Sequence, residues 1–205
     1  MTFIKTISPE EADGRLETIY SRIKGPDGRV DNILVAHSLR PLTLEAHMAM
    51  YKYVLHYGGN ETPKWFLEAI GVFVSMLNEC DYCVAHHCEG LRKLLKDDDV
   101  ARAMRIALTA GADGKEMKAP RLEEKEIAAL LYVRKLTRTP GDIVEADIDA
   151  LRAAGWDDGT ILEVNQVASY FAYANRTVLG LGVSTDGDTL GLSPCGDDPN
   201  DWGHR

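Results

Sequence analysis

The chain has 205 residues, 45% hydrophobic and 27% charged, with a formal net charge of −9. This is a globular composition, long enough to bury about 70% of its unfolded surface without a disulfide framework. The acidic balance argues against nucleic acid or an anionic membrane as the main partner, no apolar run reaches the length of a membrane span, and residues 1–10 hold no signal-peptide core; one soluble cytoplasmic domain is expected.

The periodicity is helical in almost every segment. Ser8-Pro9-Glu10-Glu11 reads as a capping box opening a helix that carries Leu16, Ile19, Tyr20 and Ile23, broken by Gly25-Pro26-Asp27-Gly28. A short apolar helix is predicted from Asn32 to Leu39, and a longer one from Pro41 through Leu55, stopping at Gly58-Gly59. Thr62-Pro63 opens the next, to about Leu77, and Asn78 can cap a further helix from Cys80 through Leu95. Asp97-Asp98-Asp99 begins a helix ending near Ala110, and a Gly/Asp/Lys loop follows to Arg121. Helices are then predicted over Leu122–Thr137, Val144–Ala154 and Thr160–Leu179. No stretch alternates like a strand, so the expected fold is all-α: a helical domain over 1–181, with its core in 30–181. Residues 182–205, rich in Gly, Asp, Ser and Pro, read as an irregular tail. It is expected either to be solvated or to reach a neighbouring subunit through Leu190, Leu192 and Trp202, with Cys195 inert in it.

The chemistry concentrates in Asn78-Glu79-Cys80-Asp81-Tyr82-Cys83-Val84-Ala85-His86-His87-Cys88. At about 100° per helical residue, Cys80 and Cys83 fall on one stripe with Cα atoms roughly 5–6 Å apart, within disulfide range, and His87 falls between them. Cys88 is turned away. Cys80, at a helix start, has unpaired N–H groups and the helix dipole to favour a thiolate, and a neighbouring imidazole can take a proton from Cys83. One helix earlier, Glu68 is the only charge between Trp65 and Leu77, so it is expected to be buried and to need a partner. A buried Glu beside a His and a dithiol is a candidate proton relay. Val84 after Cys83 excludes c-type haem attachment, and no βαβ unit exists to make a thioredoxin-like domain. A zinc site on Cys80, Cys83 and His87 would lack an evident fourth ligand, which His86 or Glu68 would have to supply. His37 and His47 read as core or interface histidines.

Glu68, eleven intervening residues, Cys80-x-x-Cys83, three more and His87 resemble the signature of the AhpD-like alkylhydroperoxidase group of the carboxymuconolactone decarboxylase superfamily. His37-Ser38-Leu39-Arg40-Pro41, His47, Tyr51, Val74-Ser75, Tyr82, His86 and Asn175-Arg176 resemble its "uncharacterised peroxidase-related" branch. The resemblance implies an all-helical homo-oligomer and a thiol peroxidase, with Cys80 and Cys83 as redox pair and Glu68 and His87 as proton relay. Decarboxylases of the superfamily lack the cysteine pair, which disfavours their activity here. His86 and Tyr82 stand beside the core set, and Tyr82, where some relatives carry Ser or His, would reshape the peroxide site. On this reading organic hydroperoxides are the substrates and a lipoyl or thioredoxin-like dithiol the electron donor, with no cofactor beyond the dithiol and no metal. Cys83, one turn before His87, is the expected nucleophile, and the helix-start position of Cys80 leaves the reverse order open. The alternative is a non-catalytic redox-responsive or zinc-binding helical oligomer using Cys80, Cys83 and His87.

Overall fold

A computed structural model describes residues 2–194, 198 and 201–205 and is all-helical, without a strand among these residues. In chain order the α-helices are α1 (Gly14–Ile23), α2 (Asn32–Val35), α3 (Pro41–Tyr51), α4 (Lys64–Leu77), α5 (Asp81–Leu95), α6 (Asp98–Ala112), α7 (Glu124–Arg138), α8 (Glu145–Ala153) and α9 (Asp158–Leu181). A π-turn, Lys52–His56, continues α3, and a short 3-10 turn, Pro140–Asp142, follows α7.

The low polarity of α4 decides the architecture. Only Lys64, Trp65 and Met76 of its fourteen residues escape full burial. A helix apolar on every side can only be central, and α5, α6, α7 and α9 pack around this one. Fully burying Phe66 or Phe73 contributes about 2–3 kcal/mol each. Gly71 allows the closest approach: a Cβ there would lie 2.3 Å from the Phe171 ring of α9.

Several predicted boundaries move. α1 begins at Gly14, because the Ser8 box closes on itself as a turn: Glu11 N–H donates to Ser8 O at 3.1 Å and Ser8 N–H to the Glu11 carboxylate at 3.4 Å. α2 stops at Val35, with turns continuing towards Leu39. Asn78 closes α4 rather than opening α5, and Cys80 is itself the N-cap of α5. Between them Glu79 takes a left-handed backbone (φ 57°), which makes the α4–α5 turn abrupt, and Cys80 N–H donates back to Ser75 O at 2.9 Å.

The segment after α9 is irregular but not a solvated tail. Gly182 (φ 63°) turns the chain back, and an isolated antiparallel bridge joins Pro194 to His204. Trp202 is buried with the Arg22 guanidinium 4.0 Å above its ring, and His204 is buried too, whereas Leu190 stays exposed. The segment packs on its own domain because Trp202 adds apolar area to the α1 side of the core. Cys195 lies outside the described residues. No helix of the described residues is long and apolar enough to cross a membrane.

Candidate active site

The α4–α5 turn brings the predicted set together. Cys80 and Cys83 are buried free thiols with sulfurs 3.2 Å apart, close enough to share one thiol proton. They differ in environment. The hydrogen bond from Cys83, larger than the opposing effect of burial, holds Cys80 below the ordinary thiol value, and the Cys83 N–H adds to it at the start of α5. The same hydrogen bond, then burial and the Cys80 charge, push Cys83 well up. Within the pair a thiolate charge is thus better held at Cys80 than at Cys83.

His87, on the next turn of α5, faces Glu68 of α4 with Nδ1 2.8 Å from Oε2. Glu68 is 2% exposed, as its lone charge in an apolar helix requires. The edge of the His87 ring stands against Phe171, 4.6 Å between centroids, which fixes its plane. Below the cysteines, buried Asn175 of α9 donates to Ser75 Oγ at 3.1 Å and accepts from Asn78 Nδ2 at 3.0 Å, tying α9 to the cysteine turn.

Cys83, His87 and Glu68 line one cavity of about 40 Å³, and Cys80 does not. Tyr82, His86 and Asp31 also line it. Gly191, Leu192, Ser193 and His204 of the C-terminal segment also line it, and His204 stacks on Tyr51 at 6.1 Å. The anchor of that cover is Asp188, whose Oδ2 accepts from Tyr82 OH at 2.7 Å and lies 3.2 Å from His86 Nε2. It also accepts the Asn32 N–H, and Lys93 Nζ donates to Gly191 O at 2.9 Å. His86 is thus buried and hydrogen-bonded to Asp188, and Tyr82 ties the cysteine motif to the C-terminal segment.

The remaining sequence candidates separate. His37 bonds Ile33 O and Tyr173 OH and lies tilted, 4.7 Å between ring centroids, against His47, a core histidine that burial brings down to about 3 and that also borders the cavity. Cys88 lies outside the cluster, beside Arg92 and Arg105. No three His, Cys, Asp or Glu side chains among the described residues are placed to hold a metal ion.

Sequence reasoning missed His56, Asp31, Asp188 and His204. His56 Nε2 lies 3.8 Å from Glu68 Oε1, and Asp31 is pushed up to about 6 by burial. A lone His in the run Lys52–His56 and acids in a Gly/Asp segment carry no spacing that marks them.

Residues 41–125 match the model of the Carboxymuconolactone decarboxylase family, a span that includes Glu68, both cysteines and His87. Among solved structures, an uncharacterized peroxidase-related protein from Silicibacter sp. TM1040 is 28% identical (TM-score 0.67), covering 78% of this chain and 79% of that one. The alkylhydroperoxidase AhpD core of an uncharacterized peroxidase-related protein from Ralstonia eutropha JMP134 is 22% identical (TM-score 0.76; 91% and 93% covered). The debrominase Bmp8 shares the fold at 16% identity (TM-score 0.67; 91% of each chain). No curated protein matches the chain significantly.

Proposed function

Taking as premise a chain that carries the carboxymuconolactone decarboxylase family pattern over residues 41–125 on an AhpD-like helical fold, we propose that it is a thiol peroxidase reducing organic hydroperoxides. The observation that carries this reading is one small cavity lined by Cys83, His87 and Glu68, with the second sulfur 3.2 Å behind the first.

Cys83 is the nucleophile, because it borders the cavity and the buried Cys80 does not. His87 takes one proton from the dithiol, and Glu68 holds the imidazolium through Nδ1–H. The remaining proton passes to Cys80 across the sulfur pair, leaving the charge on Cys83. The Cys83 thiolate attacks the terminal peroxide oxygen and the O–O bond breaks. The departing alkoxide takes the proton from His87, and Cys83 is left as a sulfenic acid. The Cys80 thiol attacks that sulfur, the S–O bond breaks and water leaves. One hydroperoxide and two thiols thus give one alcohol, one water and the Cys80–Cys83 disulfide. A dithiol donor of lipoyl or thioredoxin type then reduces the disulfide by exchange. The protein works as a cytoplasmic homo-oligomer with no cofactor beyond its own dithiol. The zinc alternative has less support, since no group of ligands converges on a metal position among the described residues.

The test is intact-mass and peptide mapping of reduced protein given one equivalent of cumene hydroperoxide. The expected result is rapid loss of two hydrogens per chain, mapped to Cys80–Cys83 and absent in Cys83→Ser. In Cys80→Ser the reaction is expected to stop at a dimedone-trappable sulfenic acid on Cys83. Thiols that oxidise no faster than free cysteine would sink the reading.

A further inference from the structure

Glu68 has a second imidazole neighbour that this chemistry does not use. His56, at the end of the π-turn, places Nε2 3.8 Å from Glu68 Oε1, the oxygen not taken by His87. Its side chain is fully buried, and neither ring nitrogen has a hydrogen-bond partner. The Thr62 hydroxyl, also buried, has none either. Leaving such groups dry is costly, and native proteins as a rule satisfy them. His56 and Thr62 are among the residues lining a cavity of about 240 Å³, walled also by Asn60 and Lys64, with room for several waters; the ring nitrogens and the hydroxyl are sealed from it in this packing and meet its water only when the wall between them opens. The cavity shares no lining residue with the cysteine cavity.

We propose that His56 is a proton port: it passes protons between Glu68 and water held in the Thr62 cavity, on a route that does not enter the peroxide cavity. The purpose of the port rests on the peroxidase reading; its chemistry does not. Oxidation of the dithiol monoanion by ROOH gives the disulfide, water and RO⁻, which takes up one proton to become ROH. Reduction of the disulfide back to the monoanion by a dithiol releases one proton. In the proposed peroxidase steps the dithiol itself supplies this proton to His87; when the dithiol has already lost it to solvent, the His87–Glu68 pair must be refilled from outside. The cysteine cavity, about 40 Å³ under the C-terminal segment, is occupied by substrate when the proton is needed. Glu68 has one oxygen on each imidazole and can serve as the junction.

Burial, then Lys64, His87, His204 and Lys52, bring His56 well below the ordinary imidazole value. A neutral ring suits the task, since it can accept a proton at Nε2 as it releases one at Nδ1 and never stores the charge. Tyr51 stands edge-on at 4.6 Å and limits the ring's movement. His56 touches no reacting atom and acts only through Glu68, as a positioning residue.

The experiment measures solvent exchange of the Nδ1 proton between His87 and Glu68 by nitrogen-15 NMR of reduced protein, beside single-turnover oxidation by cumene hydroperoxide across pH. His56→Gln, which keeps polarity but cannot shuttle, is expected to slow exchange about tenfold or more. His56→Ala is expected to do the same and to recover when free imidazole enters the vacated cavity. Thr62→Val leaves the ring in place and should slow exchange severalfold, so it carries the test if the histidine variants fail to fold. Exchange at the wild-type rate in the folded variants overturns the port, as does a loss in His56→Ala that imidazole does not restore. Slowed, rescuable exchange in a protein that ignores peroxide retains the port and removes the peroxidase reading instead.

Discussion

The two oxygens of Glu68 face two imidazoles, His87 at 2.8 Å and His56 at 3.8 Å. Glu68→Gln keeps the shape and removes the charge that holds a protonated His87. Single-turnover oxidation is expected to slow by about 10²-fold or more while the thiols stay oxidisable by a strong disulfide reagent, and an unchanged rate in stopped flow would refute the relay. Asp31 makes a different prediction. Burial, its largest influence, raises its carboxyl from 3.8 to about 6. Because the folded value is the higher one, its contribution is fully present below pH 3.8 and is lost as pH rises through 6. Asp31→Asn should therefore be more stable than wild type at pH 7.5, by about 3 kcal/mol, and equal to it near pH 3.5. Urea midpoints at both pH values check this, and an equal difference at both would refute it. Cys80, Cys83 and His87 were legible because helical spacing puts them on one stripe, and Glu68 because it is the lone charge in the apolar stretch Trp65–Leu77. His56 and Asp31 were not, because they reach the site from segments whose path only the packed fold determines.

At the scale of elements, α4 was legible for the reason that it is central: an unbroken apolar run has nowhere else to go. Its contact with α9 depends on one missing side chain. Gly71→Ala would place a Cβ 2.3 Å from the Phe171 ring, with the neighbouring core closed around it. A loss of about 1–3 kcal/mol in chemical denaturation is expected, in spite of alanine's better helix propensity. A stability equal to or above wild type would show that α9 can move aside. The capping signals were less informative than the apolar periodicity. The box at Ser8 folded as a free turn, and Asn78 ended a helix instead of starting one, since one polar side chain near a helix boundary suits either neighbour. Nothing local in the sequence marks the π-turn that delivers His56, since it arises where α3 meets the rest of the fold.

At the scale of the whole molecule, the C-terminal segment covers the cavity that Cys83, His87 and Glu68 line. The sequence showed its irregularity but not its placement, because Gly, Asp and Ser suit a solvated chain and a tightly fitted cover equally well. Asp188 is the main fastening, so Asp188→Ala leaves Tyr82 OH and the Asn32 N–H without their acceptor. Lost hydrogen bonds to a charged group of about 1.5–3 kcal/mol would raise the open fraction at least about tenfold. Oxidation by cumene hydroperoxide should then gain on oxidation by hydrogen peroxide by a similar factor, and a constant ratio of the two rates would show that the cover does not select. Sequence separation adds a consequence. The cysteine pair and His87 are set within one helix that ends at Leu95, whereas the cover is fastened by Asp188, 102 residues beyond its partner His86. Closing the site is therefore a long-range event in folding, whereas bringing the two thiols together needs only a single helical turn.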